Sequence, residues 1–149
     1  MLINLLTGLP VILLCLVVQA LFITFCLRTY LRFRPYTQVS VAALPDILLL
    51  SAVMLLLMLG NSLQIALWAW VFVLLGEFDS FTTALYFSAV TFATLGYGDL
   101  VLSESWRLLS GLEAASGILM FGVSTAVMTA AVGDVFKNNL LHLQRKQQP

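Results

Sequence analysis

Residues 94–99 read Thr-Leu-Gly-Tyr-Gly-Asp, and their types and spacing point to the binding of a cation by backbone oxygens. Gly96 and Gly98 alternate with bulky residues, and glycine adopts φ values that are closed to other residues. Successive carbonyl groups of residues 94–98 are therefore able to point to one side. The hydroxyl of Thr94 adds another oxygen there. Repeated around an axis, such oxygens replace the hydration shell of a cation.

The composition places this chain in a lipid bilayer. Of its 149 residues, 61% are hydrophobic and 9% are charged, whereas a soluble domain carries about 25% charged residues. Three apolar runs are long enough to cross about 30 Å of hydrocarbon. Because the formal net charge is zero, we expect no nucleic-acid partner. The expected location is the cell membrane, which the chain crosses more than once.

The apolar runs predict an all-α membrane protein with three transmembrane helices. An apolar segment of about 12 residues lies between the second and third spans; it is too short to cross a bilayer and fits a re-entrant helix that leads into an extended loop. We divide the chain into an N-terminal helix with a basic cytoplasmic linker (1–35), a central module (36–136) and a cytoplasmic tail (137–149). The module comprises an outer helix (45–75), a short helix (80–92), the loop 94–99 and an inner helix (106–135).

The first apolar run also admits an interpretation as a secretory signal with Val18-Gln19-Ala20 as its cleavage site. A retained helix is preferred because the run is long and no basic residue precedes it. Cys15 and Cys26 lie in this run, about 16 Å apart along a helix, which is too far for a disulfide. We interpret both as apolar packing residues. The single histidine, His142, has no acids or thiolates clustered near it in the sequence and predicts no metal site.

The basic residues predict the orientation of the spans. Lys and Arg in short loops mark the cytoplasmic side of a membrane. Three spans put the N-terminus outside and the C-terminus in the cytoplasm, and they leave only Arg107 among the basic residues outside. The basic residues on the cytoplasmic side are Arg28, Arg32, Arg34, Lys137, Arg145 and Lys146. These side chains are also candidates for contact with the headgroups of anionic lipids.

The acidic residues of the central module collect on the outer side. They are Glu77, Asp79, Asp99 and Glu104. In a symmetric oligomer this excess would surround a common mouth, where it raises the local concentration of cations. Alternatively, acids occupy this side only because basic residues are excluded from it.

Residues 82–99, with the spans on either side, resemble the pore helix and selectivity filter of tetrameric potassium channels. The resemblance is closest to small prokaryotic ion-channel-type proteins and to the two-pore-domain channels. It implies that the central module is a pore module and that four identical chains surround one axis. It further implies that K+ is bound at Thr94, Leu95, Gly96 and Tyr97, with Gly98 completing the filter. Tyr97 followed by Gly98 implies selectivity for potassium over sodium.

The sequence departs from the pattern of this family at three positions near the filter. Leu95 stands where the family has Val or Ile, so the β-branch that stiffens the backbone is absent. Ala93 replaces a second threonine of many relatives. Val90 stands where some bacterial relatives have a glutamate that binds the aspartate after the filter. Asp99 therefore needs another partner, and the departures concern the shape of the filter more than its selectivity.

Several further residues are candidates for support of the filter. Thr91 lies three residues before the loop, and Tyr86 and Phe87 form either an aromatic cuff around the filter or ordinary packing. Glu113 lies about two turns into the third span, where an acid is costly and therefore a functional candidate. It either hydrogen-bonds behind the filter or lies unpaired at the membrane interface.

Two glycines of the inner helix, Gly117 and Gly122, admit two interpretations. The resemblance implies a hinge, because relatives bend near such a glycine when the cytoplasmic gate opens. Close packing of helices is the other use of small residues in a membrane.

The preferred function is a homotetrameric channel that conducts K+ passively, with K+ as the permeant ion and without a cofactor. The alternative is a regulatory or nonconducting subunit that assembles with another potassium channel. A small membrane enzyme or transporter is a poorer interpretation, because the sequence has no clustered nucleophile, metal ligands or phosphate-binding loop. We therefore do not expect an enzyme.

Overall fold

The structure, a computed structural model, describes residues 1–37 and 43–147, and these residues form four α-helices. Three of the helices contain segments that are long and apolar enough to cross a membrane: Leu2–Arg32, Leu44–Leu74 and Arg107–Lys137. The predicted all-α architecture with three long apolar helices is therefore confirmed. In chain order the helices are α1 (Leu2–Thr37), α2 (Ala43–Leu74), α3 (Phe81–Phe92) and α4 (Arg107–Gln147).

The bounds of two helices differ from those expected. α1 does not end before Arg28 but continues through Pro35 to Thr37, so the expected linker is helical. A proline removes the hydrogen bond of its own nitrogen, and its ring crowds the carbonyl group four residues earlier. Pro35 lies near the end of α1, where these costs do not stop the helix. α4 continues from the expected end at residue 135 to Gln147, because Leu, Lys, Arg and Gln of the expected tail are good helix formers.

Hydrogen bonds between helices show how the three long helices run. Asn4 Nδ2 donates to Ser105 O over 2.9 Å, and Tyr30 OH donates to Asp134 Oδ2 over 2.6 Å. α1 and α4 are therefore parallel. α2 runs in the opposite direction, since Asn139 Nδ2 near the end of α4 donates to Asp46 Oδ2 near the start of α2. We call the end that contains loops 75–80 and 93–106 the loop end, and the other the tail end.

Two apolar clusters form the interior. The cluster at the loop end packs α3 between α2 and α4 and includes Trp68, Phe72, Phe87, Phe92 and Leu109. Trp68 stacks on Phe72, and Phe87 meets Phe72 edge to face. The cluster toward the tail end joins the three long helices and comprises Cys26, Tyr30, Leu49, Val53, Leu57 and Ala131.

A layer of polar side chains lies near the middle of the three spans. Gln19 Nε2 donates to Ser124 Oγ over 3.0 Å, while Gln64 Nε2 donates to Gln19 Oε1 over 2.7 Å. Asn61 Nδ2 also approaches Ser124 Oγ, at 3.4 Å. Hydrogen bonds between membrane helices stabilise by about 0.6 kcal/mol each on average. The layer therefore fixes which faces of α1, α2 and α4 meet more than it adds to stability.

Gly117 sets the distance between α3 and α4. A Cβ built at Gly117 would lie 2.0 Å from Phe92 O, at the end of α3, and 2.9 Å from the Phe92 carbonyl carbon. Only glycine allows backbone atoms to approach this closely. At Gly122 a Cβ would meet nothing within 4 Å. The close-packing interpretation therefore describes Gly117, whereas Gly122 has open space around it in the single chain.

We expect Gly117→Ala to destabilise the protein by about 1–3 kcal/mol, the usual cost of overpacking. The added methyl group must displace the backbone of α3, which has no flexible atom to move aside. Gly122→Ala is the matched control, because the same methyl group enters open space in the same helix. Thermal unfolding in detergent measures both variants, and equal stability of the two would contradict the packing account.

Candidate functional site

The helix α3 begins at a capped N-terminus near the loop end. Ser80 has extended backbone angles, and its side chain accepts a hydrogen bond from Thr83 N over 3.1 Å. A serine that accepts this bond satisfies one of the free N–H groups of the first turn. The predicted start of the short helix is therefore correct to within one residue.

The C-terminus of α3 ends in a Schellman motif that leads directly into residues 94–98. Leu95 N donates to Val90 O over 2.9 Å, and Thr94 N donates to Thr91 O over 2.9 Å. The residue in the left-handed conformation is Thr94, with φ 61°. Glycine usually occupies this position, because a Cβ is unfavourable there.

The C-terminus of α2 ends in the same motif without this strain. Glu77 N donates to Phe72 O and Gly76 N to Val73 O, both over 3.0 Å, and Gly76 has φ 74°. The chain thus uses glycine in one Schellman motif and threonine in the other. A strained residue of this kind leads to a hypothesis of function, and a hydroxyl at position 94 is what a glycine could not supply.

The hand of the backbone alternates along the loop. Thr94, Gly96 and Gly98 have φ values of 61°, 55° and 78°, whereas Leu95 and Tyr97 between them have negative φ. Alternation of this kind collects successive N–H groups on one side of the chain, so the carbonyl groups face the other side. The side chains of Leu95 and Tyr97 are 57% and 65% exposed. The single chain therefore leaves two large side chains of the loop uncovered.

Three hydrogen bonds fix the segment that follows the loop. Tyr86 OH donates to Asp99 Oδ2 over 2.8 Å, which supplies the partner that Asp99 lacks at Val90. This bond raises the pKa of the Tyr86 phenol, so the phenol remains a donor at neutral pH. Glu77 accepts from both the N–H and the Oγ of Ser103, each over 2.7 Å. Two of the four acids near this loop therefore hold backbone segments in place.

Glu113 lies behind α3 and joins it to α4. Its side chain is fully buried, and Oε1 contacts Ser88 Oγ. Ser88 Oγ also lies 2.9 Å from Ile65 O of α2. A hydroxyl has one proton to donate, so both contacts are satisfied together when Glu113 is neutral and donates to Ser88. Three helices then meet in one chain of hydrogen bonds.

The structure brings the predicted site residues to one region. Phe87 and Val90 are buried on α3, and Thr91 and Thr94 line a cleft between the loop and α4. Sequence reasoning missed Ser88, which contacts the predicted Glu113. Its position one helical turn before Thr91, beside the apolar residues Phe87 and Ala89, was the indication in the sequence.

Comparison with known proteins identifies the class of this fold and site. Residues 62–134 match the model of a family described as an ion channel. A second match is to the voltage-gated potassium channel Kch of Escherichia coli (strain K12), 43% identical over 60 residues. Those residues are 40% of this chain and 14% of that protein, so the match spans a small part of this relative. No solved structure matches the chain significantly.

Residues 62–134 are therefore similar to an ion-channel family, and part of the chain is similar to a potassium channel, in agreement with the resemblance seen in the sequence. This family is not an enzyme family, as expected. The matched region begins within α2, and all of α1 lies outside it.

We expect Ser88→Ala to destabilise the protein by about 1–3 kcal/mol, because it leaves the buried Glu113 and Ile65 oxygens without their shared partner. Glu113→Gln should stay within about 0.5 kcal/mol of the native chain, since its amide is able to donate as a neutral carboxyl does. Ser110→Ala is the control: that hydroxyl bonds to Arg107 O at an exposed position. Thermal unfolding in detergent measures all three. A loss in Glu113→Gln equal to that in Ser88→Ala would show that Glu113 is ionised.

Proposed function

We propose that this protein is a potassium-selective channel that conducts K+ passively through a pore formed by four copies of the chain. The observation that carries the proposal is the alternating hand of the backbone at residues 94–98, within Thr-Leu-Gly-Tyr-Gly-Asp at the end of α3. Carbonyl groups of these residues would face the axis and replace the hydration shell of K+. In this proposal K+ is bound at Thr94, Leu95, Gly96 and Tyr97.

The geometry of the loop supports the proposed assembly of four chains. Each chain has one such loop, and rings of oxygens around a K+ ion need several copies related by an axis. The side chains of Leu95 and Tyr97 are exposed in the single chain, and a neighbouring chain would cover them. The cleft between the loop and α4, lined by Thr91, Gly96 and Arg107 among others, is open in the single chain and is a second surface for such a neighbour.

The positions of the basic residues support an orientation of the helices in the membrane and a contact with lipid headgroups. Arg28, Arg32 and Lys137 lie toward the tail end, which the rule for basic residues assigns to the cytoplasm. α3 would then enter the cell membrane from the outside as a re-entrant helix, and its C-terminal carbonyls would favour a cation below the filter. We further propose that the basic residues at the tail end bind the headgroups of anionic lipids.

Flux of K+ and Na+ into liposomes that contain only the purified protein tests the proposal. We expect K+ flux well above that of empty liposomes, little Na+ flux, and a four-chain particle by native mass spectrometry. K+ flux should be higher in liposomes with anionic lipid than in neutral ones. An absence of flux from a well-folded tetramer would instead favour a nonconducting subunit that assembles with another channel.

In the same assay, Gly96→Ala should abolish most of the K+ flux. An alanine at φ 55° strains the backbone by about 1–3 kcal/mol, and the loop relieves this strain by turning its carbonyl. Gly76→Ala is the matched control, because φ is 74° there but the residue lies in the turn after α2. Equal flux in Gly96→Ala and Gly76→Ala would contradict the assignment of the filter.

Substitutions of Thr94 separate strain from chemistry. Thr94→Gly relieves a left-handed conformation that costs an L-residue about 1–2 kcal/mol. Because glycine also loses more conformational freedom on folding, we expect any loss of stability of the folded tetramer to stay below about 1 kcal/mol. It nevertheless removes the hydroxyl and should lower the ratio of K+ to Na+ flux severalfold. Thr94→Ser keeps the hydroxyl and should preserve the ratio. A preserved ratio in Thr94→Gly would mean that the hydroxyl contacts no ion.

A further inference from the structure

α1 lies outside the region that matches the ion-channel family. Its side chains nevertheless form hydrogen bonds at three depths, one to the residues just before α4 and two to α4 itself. Asn4 bonds to Ser105 O at 2.9 Å, just before α4 begins. Near mid-membrane, Gln19 Nε2 donates to Ser124 Oγ at 3.0 Å. Toward the tail end, Tyr30 OH donates to Asp134 Oδ2 at 2.6 Å. All three α1 side chains are buried, so these contacts are built into the packing of the helices.

The two deeper contacts require α1 and α4 to stay in register. Gln19 and Tyr30 are 11 residues apart, and Ser124 and Asp134 are 10 residues apart. At 1.5 Å per residue these separations are about 16 and 15 Å along parallel helices. Both hydrogen bonds therefore form at one relative position of the helices, and sliding or bending of α4 breaks them together.

Gly122 of α4 lies between the first of these three contacts and the other two. Before it, Asn4 meets Ser105, and Gly8 packs so closely on Leu112 that an added Cβ would lie 2.6 Å from Leu112 Cδ1. After it come the contacts of Ser124 and Asp134. A Cβ at Gly122 would meet nothing within 4 Å. Movement of the tail-end half of α4 therefore breaks the two deeper contacts and leaves the loop-end contacts intact.

In addition to its contacts with α4, α1 has its own attachment to α2. Gln19 Oε1 accepts from Gln64 Nε2 at 2.7 Å. Gly60 of α2 lies against the ring of Phe22, where an added Cβ would be 3.0 Å from Cγ. Because these contacts do not involve α4, α1 would remain on α2 while the tail-end half of α4 moves away. It acts as a fixed support.

We propose that α1 restrains the half of α4 beyond Gly122, with Gln19 and Tyr30 as the positioning residues, and that release of this restraint accompanies opening of the conduction path. The second clause rests on the proposed channel function. The restraint comes from α1 and not from the region that matches the ion-channel family, since both positioning residues precede that region. Weakening it should favour the open channel without altering the filter at the loop end.

Single-channel recording of the full tetramer in planar bilayers tests the proposal with three variants. Tyr30→Phe removes one hydroxyl, and Gln19→Leu removes the amide at nearly constant size. Thr24→Val is the matched control, because the Thr24 hydroxyl bonds only to Ala20 O of its own helix on an exposed face. Open probability should rise roughly threefold or more in the first two variants, as expected for the loss of at least one hydrogen bond between membrane helices in each chain. Tyr30→Phe loses the bond to Asp134, and Gln19→Leu loses the bonds to Ser124 and Gln64. Thr24→Val should leave it unchanged.

The unitary conductance and the reversal potential in mixed K+ and Na+ should stay the same in all three variants. A merely structural role of Gln19 and Tyr30 would lower the yield of folded tetramer and would not raise open probability. Unchanged or reduced open probability in Tyr30→Phe and Gln19→Leu would overturn the proposal.

Hydrogen–deuterium exchange of α4 provides a readout that does not depend on conduction. Exchange in residues 124–137 should become faster in Tyr30→Phe and Gln19→Leu, while residues 107–120 exchange as in the native chain. Equal exchange in native and variant proteins would show that α1 does not restrain α4. If the native protein passes no K+ at all, the proposed function fails, and the exchange result still decides whether the restraint exists.

Discussion

The left-handed turn at Thr94 is the constraint on which the rest of the site depends. It ends α3 and sets the first residue of the alternating segment that continues to Gly98. A Schellman motif closes the helix through backbone hydrogen bonds alone, so the turn needs no side chain to form. The same motif at Gly76 uses the residue that steric considerations favour. Threonine at position 94 therefore adopts a backbone conformation that is strained for an L-residue, and it adds a hydroxyl group that glycine lacks.

The turn is useful only if α3 is held firmly, and α2 and α4 together provide that support. Gly117 lets the backbone of α4 touch the last residue of α3, and Glu113 reaches Ser88 one helical turn earlier in α4. After the loop, Asp99 accepts a hydrogen bond from Tyr86 OH, so it has a partner although Val90 is not an acid. α4 therefore contacts α3 directly, and a hydrogen bond from α3 holds the residue that follows the loop. In a lipid environment such internal partners are necessary, because no water is present to satisfy buried polar groups.

α4 is itself held at two depths by α1, a helix that lies outside the region similar to the ion-channel family. The polar layer of Gln19, Gln64 and Ser124 joins all three long helices, and Tyr30 joins α1 to Asp134 ten residues further along. Lipid tails are as apolar as leucine, so apolar packing alone does not specify which faces of membrane helices meet. Polar side chains do, since each left unpaired in hydrocarbon is costly. The position of α1 is therefore determined by a few hydrogen bonds more than by its long apolar surface.

The sequence by itself determined the number of spans, the short helix and the loop 94–99, because these depend on local patterns: apolar runs, a serine cap and alternating glycines. It also identified Glu113 as an unusual acid. The tertiary structure decided which partners these residues have. Tyr86 and Asp99 are 13 residues apart, Ser88 and Glu113 are 25 apart, and Gln19 and Ser124 are 105 apart, and no local periodicity relates such positions. The extension of α1 and α4 was missed for the opposite reason: proline and charge near a helix end are local signs of termination, whereas a helix that has already formed continues at little cost.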